Sequence, residues 1–352
     1  MITVTQHDLQ ARTDYELLKT VGILTARDVV RWHLVDKGSR FDFSPVIPLA
    51  EAAEQAGIQV IWNLCHYGWP EDVDLFSAEF VNRFERYCRT VARFLADRSD
   101  AVRYYAPINE ISFFAWAASR QVMFPHAYHR DDEIKCQLVR AAIAGCEAIW
   151  REDRCARILH GDPVIHVVPP RDRPDLSASA KAQDESQFVA WDMLCGVSHP
   201  ELGGHPRYLD LIGVNFYHAN EWEFPDVRLR WEDEPRDDRW VPLHQLIARV
   251  YDRYRRPILI AETSHFGAGR GRWICEIGQE AYAARSIGIP LEGICIYPIL
   301  DRPDWEDFDH WHNSGLWDVH KDGQQVLRRR LNPEYAARFR AAQELLAKAG
   351  CV

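Results

Sequence analysis

Two glutamates each close an otherwise apolar run in this 352-residue sequence. Glu110 follows Tyr105-Ala106-Pro107-Ile108-Asn109, and Glu262 follows Ile258-Leu259-Ile260-Ala261. A carboxylate in such a place is costly unless it is paired or faces a cavity. Two carboxylates converging on one substrate can cleave a glycosidic bond. One protonates the leaving oxygen, and the other attacks the anomeric carbon or activates water. Other polar groups stand at or near the ends of comparable runs: Arg31 and His33, His66-Tyr67, Asp162 and His166, Asn215 with Tyr217 and His218, His265, and Tyr297 with Asp301, Asp304 and Trp305 beyond it.

The elements that must carry these groups alternate. Apolar, β-prone runs occupy 27–35, 58–65, 102–108, 157–168, 209–216, 257–262 and 293–299. Helical patterns lie between them, near 14–21, 45–56, 77–96, 131–151, 178–196, 241–254, 272–287 and 333–348. In 77–96 the residues Phe80, Phe84, Tyr87, Val91 and Phe94 keep a three-to-four spacing, the mark of an amphipathic helix. Runs such as Val60-Ile61-Trp62-Asn63-Leu64-Cys65 do not alternate, as expected of parallel strands buried on both faces. Repeated strand–helix alternation predicts a parallel α/β fold, a (β/α)8 TIM barrel, with residues 1–352 as a single domain. The helix at 14–21 precedes the first clear strand, so strand 1 of the barrel is truncated or missing. The short segment Met1 to Thr5 is expected to lie in that gap as a frayed substitute or to leave it open. Stretches 219–240 and 301–323 read as long loops after the sixth and eighth strands, on the face where barrels carry their chemistry.

On these residues the sequence resembles family 1 glycoside hydrolases of the β-glucosidase type. Asn109-Glu110 resembles that family's Asn-Glu-Pro, with Ile111 in place of the proline. Ile260-Ala261-Glu262-Thr263 resembles its Thr-Glu-Asn-Gly, with Thr263-Ser264 replacing Asn-Gly. His66-Tyr67-Gly68-Trp69-Pro70 is similar to its His-Trp-Asp-Leu-Pro, and Asp210 to Tyr217 to its Asp-Phe-Ile-Gly-Ile-Asn-Tyr-Tyr. Leu300 to Trp305 is similar to its Leu-Asp-Asn-Phe-Glu-Trp segment. The resemblance runs in order from about Asp14 to Asp318 and lacks the family's strand-1 glutamine. It implies a retaining O-glycoside hydrolase for a β-glucoside or related β-linked sugar, with Glu110 as acid/base on strand 4 and Glu262 as nucleophile on strand 7. It further implies that Arg31, or Arg27 in its place, keeps Glu262 ionised, and that Tyr217 donates to Glu262. His66, Asn109 and Trp305 would bind sugar hydroxyls, with Asn215, Tyr297 and Asp304 as supporting residues. No cofactor and no metal are expected.

Composition narrows the partners. Forty-two Lys+Arg against 52 Asp+Glu leave a net charge of −10, which disfavours nucleic acid and anionic membrane surfaces. No stretch approaches the roughly 18 apolar residues of a membrane span. The charged start, with Asp8, Arg12, Asp14, Glu16 and Lys19, does not read as a signal peptide. Nine cysteines without a Cys-x-x-Cys pair are those of a reducing cytoplasm. The partner expected is therefore a small carbohydrate or glycoside, with the oligomeric state open. Two other readings stand beside this one. One is a catalytically inactive sugar-binding or scaffolding barrel. The other is a metal-dependent barrel hydrolase, whose one His-x-His pair, His310 and His312, falls in a loop.

Overall fold

The computed structural model describes residues 2–98, 101–321 and 326–348. Seven strands, β1 (Thr25–Val29), β2 (Gln59–Cys65), β3 (Tyr104–Ile108), β4 (Arg157–Pro163), β5 (Leu211–Asn215), β6 (Ile258–Thr263) and β7 (Leu291–Ile296), form one sheet in chain order. Helices alternate with them, so the topology is that of a (β/α)8 TIM barrel with one strand fewer among the described residues. β1 and β7 are its edge strands. Their side chains are mostly half-buried, whereas β6 is buried throughout. No described helix is long and apolar enough to cross a membrane.

The chain gathers into two compact units, 24–163 with 185–213 and 1–23 with 164–184 and 214–352. In the first, β1 pairs in parallel with β2, β2 with β3 and β3 with β4. The helix Ala78–Ala96 buries Phe80, Phe84, Tyr87 and Val91, as the spacing predicts. Its Tyr87 hydroxyl lies 2.7 Å from Val30 O and 3.0 Å from Leu64 O, tying the helix to the ends of β1 and β2. Gly145 lets the helix Asp131–Glu152 approach closely, since a Cβ there would stand 3.0 Å from Phe84 and 3.1 Å from Cys88.

In the second unit β6 pairs in parallel with β7. A small sheet joins His166–Val168, Glu221–Glu223 and Val227–Arg228, and a hairpin joins Trp317–Lys321 to Leu327–Leu331. Glu221 is fully buried. One of its oxygens accepts from Val241 N at 2.8 Å, and the other has no partner among the described residues. Burial pushes its pKa from 4.5 up to about 8. The protonated form is the one the fold favours. Its stabilising contribution is complete below about pH 4.5 and is lost as pH rises toward 8. Glu221→Gln keeps the shape without the ionisation. Its stability advantage over the wild type is therefore expected to be near zero at pH 4.5 and to grow to a few kcal/mol by pH 8. Urea unfolding at a series of pH values checks this, and a difference independent of pH would refute it.

Several sequence expectations are corrected. The run 27–35 is not one strand: β1 ends at Val29 and Trp32–Val35 is a short helix, so Arg31 and His33 are not strand residues. Trp32 packs among Phe80, Phe84 and Tyr87 and donates to Asp36, which draws the chain into that turn. The run 157–168 divides into β4 and the small-sheet strand. Stretch 219–240 contains two short strands, and 301–323 contains Trp317–Lys321. The helical pattern at 178–196 breaks into shorter helices. Residues 2–6 form turns rather than a frayed strand. They are held by the hairpin instead: Thr5 O accepts from Arg329 and Gln6 Oε1 from Leu327 N, at 2.8 and 2.9 Å. Met1 lies outside the described residues.

Candidate active site

Glu110 follows β3 and precedes the helix Ile111–Ser119. Its backbone is left-handed, with φ of 51°, and its side chain is 8% exposed. A non-glycine residue in that region stores strain, and such residues cluster at functional sites. The geometry turns the carboxylate away from the helix it precedes, for which it makes no capping bond. Asp162, at the end of β4, caps the helix in its place, accepting from Ser112 N at 3.0 and 3.1 Å. Burial lifts the pKa of Asp162 to about 6 against the Ser112 bond that lowers it. The Glu110 N–H donates to Gly161 O at 2.9 Å, so β4 also holds the backbone of Glu110. The Tyr67 hydroxyl, on a second left-handed residue after β2, donates to Glu110 Oε2.

Asn109 is 1% exposed. Its Oδ1 accepts from Arg27 at 2.9 Å, and Arg27 also donates to Asn63 at 3.1 Å. Asn109 Nδ2 is buried with no hydrogen-bond partner among the described residues, an unspent donor beside Glu110. Arg27 points from β1 into this cluster, whereas Arg31 sits at the N-terminus of the short helix Trp32–Val35. His66 is half-buried and packs edge-on against Tyr67, with ring centroids 4.5 Å apart.

In the other unit Glu262, 6% exposed near the end of β6, accepts from the Tyr217 hydroxyl at 2.8 Å. Phe216 N donates to Glu262 O at 2.9 Å. Asn220 shapes the turn that presents Tyr217. Its Oδ1 accepts from Tyr217 N, and its Nδ2 donates to Val164 O and Asn215 O. Asn215 is fully buried. Next along the chain, Thr263 accepts from Trp273 Nε1 at 2.8 Å. His218 and His265 lie on the loops that follow, with ring centroids 4.5 Å apart. Burial, reinforced by His265, lowers the pKa of His218 to about 4.

Beyond β7, Arg302 lies 5.8 Å from the ring centres of both Tyr297 and Trp305, and Trp305 is 43% exposed. Asp304 is occupied by its own loop: it accepts from Glu306 N, Asp307 N and His312 Nε2. Those backbone bonds hold its pKa near 2. Sequence reasoning missed Tyr67 as a partner of Glu110, and missed Asn63, Asp162 as a cap, and Asn220. Tyr67 and Asp162 left a trace as polar groups at the ends of apolar runs; their pairings did not.

The fold is that of family 1 β-glucosidases. The family 1 β-glucosidase from Thermotoga maritima matches with a TM-score of 0.78 at 15% identity, over 99% of this chain and 88% of its own. A β-glycosidase from Pyrococcus horikoshii matches at 0.75 and 18%, over 98% and 88%. The AHE enzyme from Alicyclobacillus herbarius matches at 0.79 and 19%, over 98% and 88%. Identities this low make the likeness one of fold. No protein-family model matches the chain, and no curated protein sequence matches it.

Proposed function

We propose that the chain is a retaining O-glycoside hydrolase for a β-glucoside or related β-linked sugar, built as one barrel domain over residues 1–352. One observation carries the reading. Glu110 is buried just after β3 and Glu262 near the end of β6, and each accepts a tyrosine hydroxyl, from Tyr67 and from Tyr217. This pair stands in the fold of β-glucosidases.

Glu110 gives its proton to the glycosidic oxygen as Glu262 bonds to the anomeric carbon and the aglycone leaves with the bond's electrons. Water then attacks that carbon, Glu110 takes up its proton, and Glu262 departs as carboxylate. The Tyr217 hydroxyl donates to Glu262 and holds the nucleophile in place. The unspent Asn109 Nδ2 donates to a sugar hydroxyl, with Arg27 fixing the amide's orientation. His66 and Trp305 contact the sugar, and Asn215, Tyr297 and Asp304 shape the surrounding loops. The enzyme works in the cytoplasm, a reading supported by eight described cysteines that are all free thiols.

The test is a screen of nitrophenyl β-glycosides, followed by proton NMR of the first-formed sugar. The β-anomer is expected. The α-anomer as first product would overturn retention, and sugar binding without turnover of any glycoside would favour an inactive barrel.

A further inference from the structure

The structure assigns a transition-metal site to His218, Glu232 and His265, apart from the two proposed catalytic glutamates. Each of these residues offers a ligand atom, and the three atoms lie within 4.8 Å of one another. Ligand atoms around a tetrahedral ion with bonds of about 2.0–2.2 Å stand roughly 3.4 Å apart. His265 Nε2 is already 2.9 Å from Glu232 Oε1. The Glu232 side chain is 34% exposed, so it can swing to close the set. Two imidazoles and one carboxylate suit zinc or a neighbouring first-row divalent ion rather than magnesium or calcium.

The surroundings of the rings fit this use. His265 Nδ1 faces both the N–H and the C=O of Phe266, at 2.8 and 2.9 Å. With an ion on Nε2, the Nδ1 proton donates to Phe266 O, the outer bond that metal-bound histidines usually make. The space for the imidazole comes from Gly269, where a Cβ would stand 2.4 Å from His265 Nδ1. His218 Nδ1 is buried with no hydrogen-bond partner among the described residues. Trp231, Trp273 and Phe266 pack against the rings. Arg228, an exposed cation, is the opposing charge near His218. His218 adjoins Tyr217 and His265 lies shortly after Glu262. An ion here therefore ties together the two loops that follow the Tyr217–Glu262 hydrogen bond.

The test uses the full-length protein, stripped with a chelator and titrated calorimetrically with zinc chloride, then with cobalt(II) followed by absorbance. One zinc per chain is expected, together with a raised thermal midpoint and a cobalt spectrum without a thiolate charge-transfer band. His218→Ala and Glu232→Gln should each weaken zinc binding at least tenfold, while Cys155→Ser, at an exposed thiol, leaves it unchanged. Glu232→Gln, on a partly exposed side chain, keeps the test decisive if His218→Ala folds poorly. The assignment is overturned by absence of stoichiometric zinc, by a thiolate band, or by affinity unaffected in Glu232→Gln. None of these readouts depends on glycoside turnover.

Discussion

Glu262→Ala is expected to lower kcat on a β-glycoside on the order of 10⁴–10⁶-fold, because the covalent intermediate can no longer form. Added azide should restore part of the turnover. A small anion fits the space the carboxylate leaves, attacks the same face of the sugar, and gives an azide of inverted configuration. That product separates a lost nucleophile from a merely disturbed fold. Glu110→Gln should behave differently, costing about 10²–10⁴-fold on a substrate whose aglycone needs a proton and much less on a nitrophenyl glycoside, whose leaving group needs none. Less than a tenfold loss in Glu262→Ala, or an equal loss on both substrate types in Glu110→Gln, would contradict the assigned roles.

The second large effect is on stability. The Arg329 side chain is 2% exposed and that of Asp14 is 5%. Arg329 Nε and Nη2 donate to the two Asp14 oxygens at 2.7 and 2.9 Å, and the guanidinium also donates to Thr5 O and Leu327 O. Arg329→Ala leaves the buried carboxylate with His7, 2.9 Å away, as its remaining side-chain partner in this group. Removing one member of a buried ion pair costs about 3–5 kcal/mol. Urea unfolding should read that loss, and limited proteolysis should begin near residues 2–6. The paired change Asp14→Leu with Arg329→Met should recover most of the stability, since the pair replaces its own desolvation cost with packing. A single-variant loss below about 1 kcal/mol would show that the pair is not what anchors the segment.

Local periodicity was enough to read much of the architecture. The helix Ala78–Ala96 repeats its apolar residues every three or four positions, and β2 and β6 are short apolar runs bounded by polar residues. From these the (β/α)8 topology follows, with both glutamates at strand ends, because burial patterns depend on near neighbours in sequence. The helix Ile111–Ser119 was not legible, since a helix apolar on every side has no period to read. Partners were not legible either. Tyr67 reaches Glu110 across 43 residues of sequence, and Asp162 reaches Ser112 across 50. Whether Arg31 is a strand residue like Arg27 depended on where β1 stops, and the packing of Trp32 decided that. The opening residues read as β-prone, yet Arg329, more than 300 positions away in sequence, holds them in turns. Sequence alone determines which segments must be buried and where carboxylates interrupt them. Only the tertiary structure decides which donor meets each carboxylate, because hydrogen-bond partners are chosen by three-dimensional proximity that no local pattern encodes.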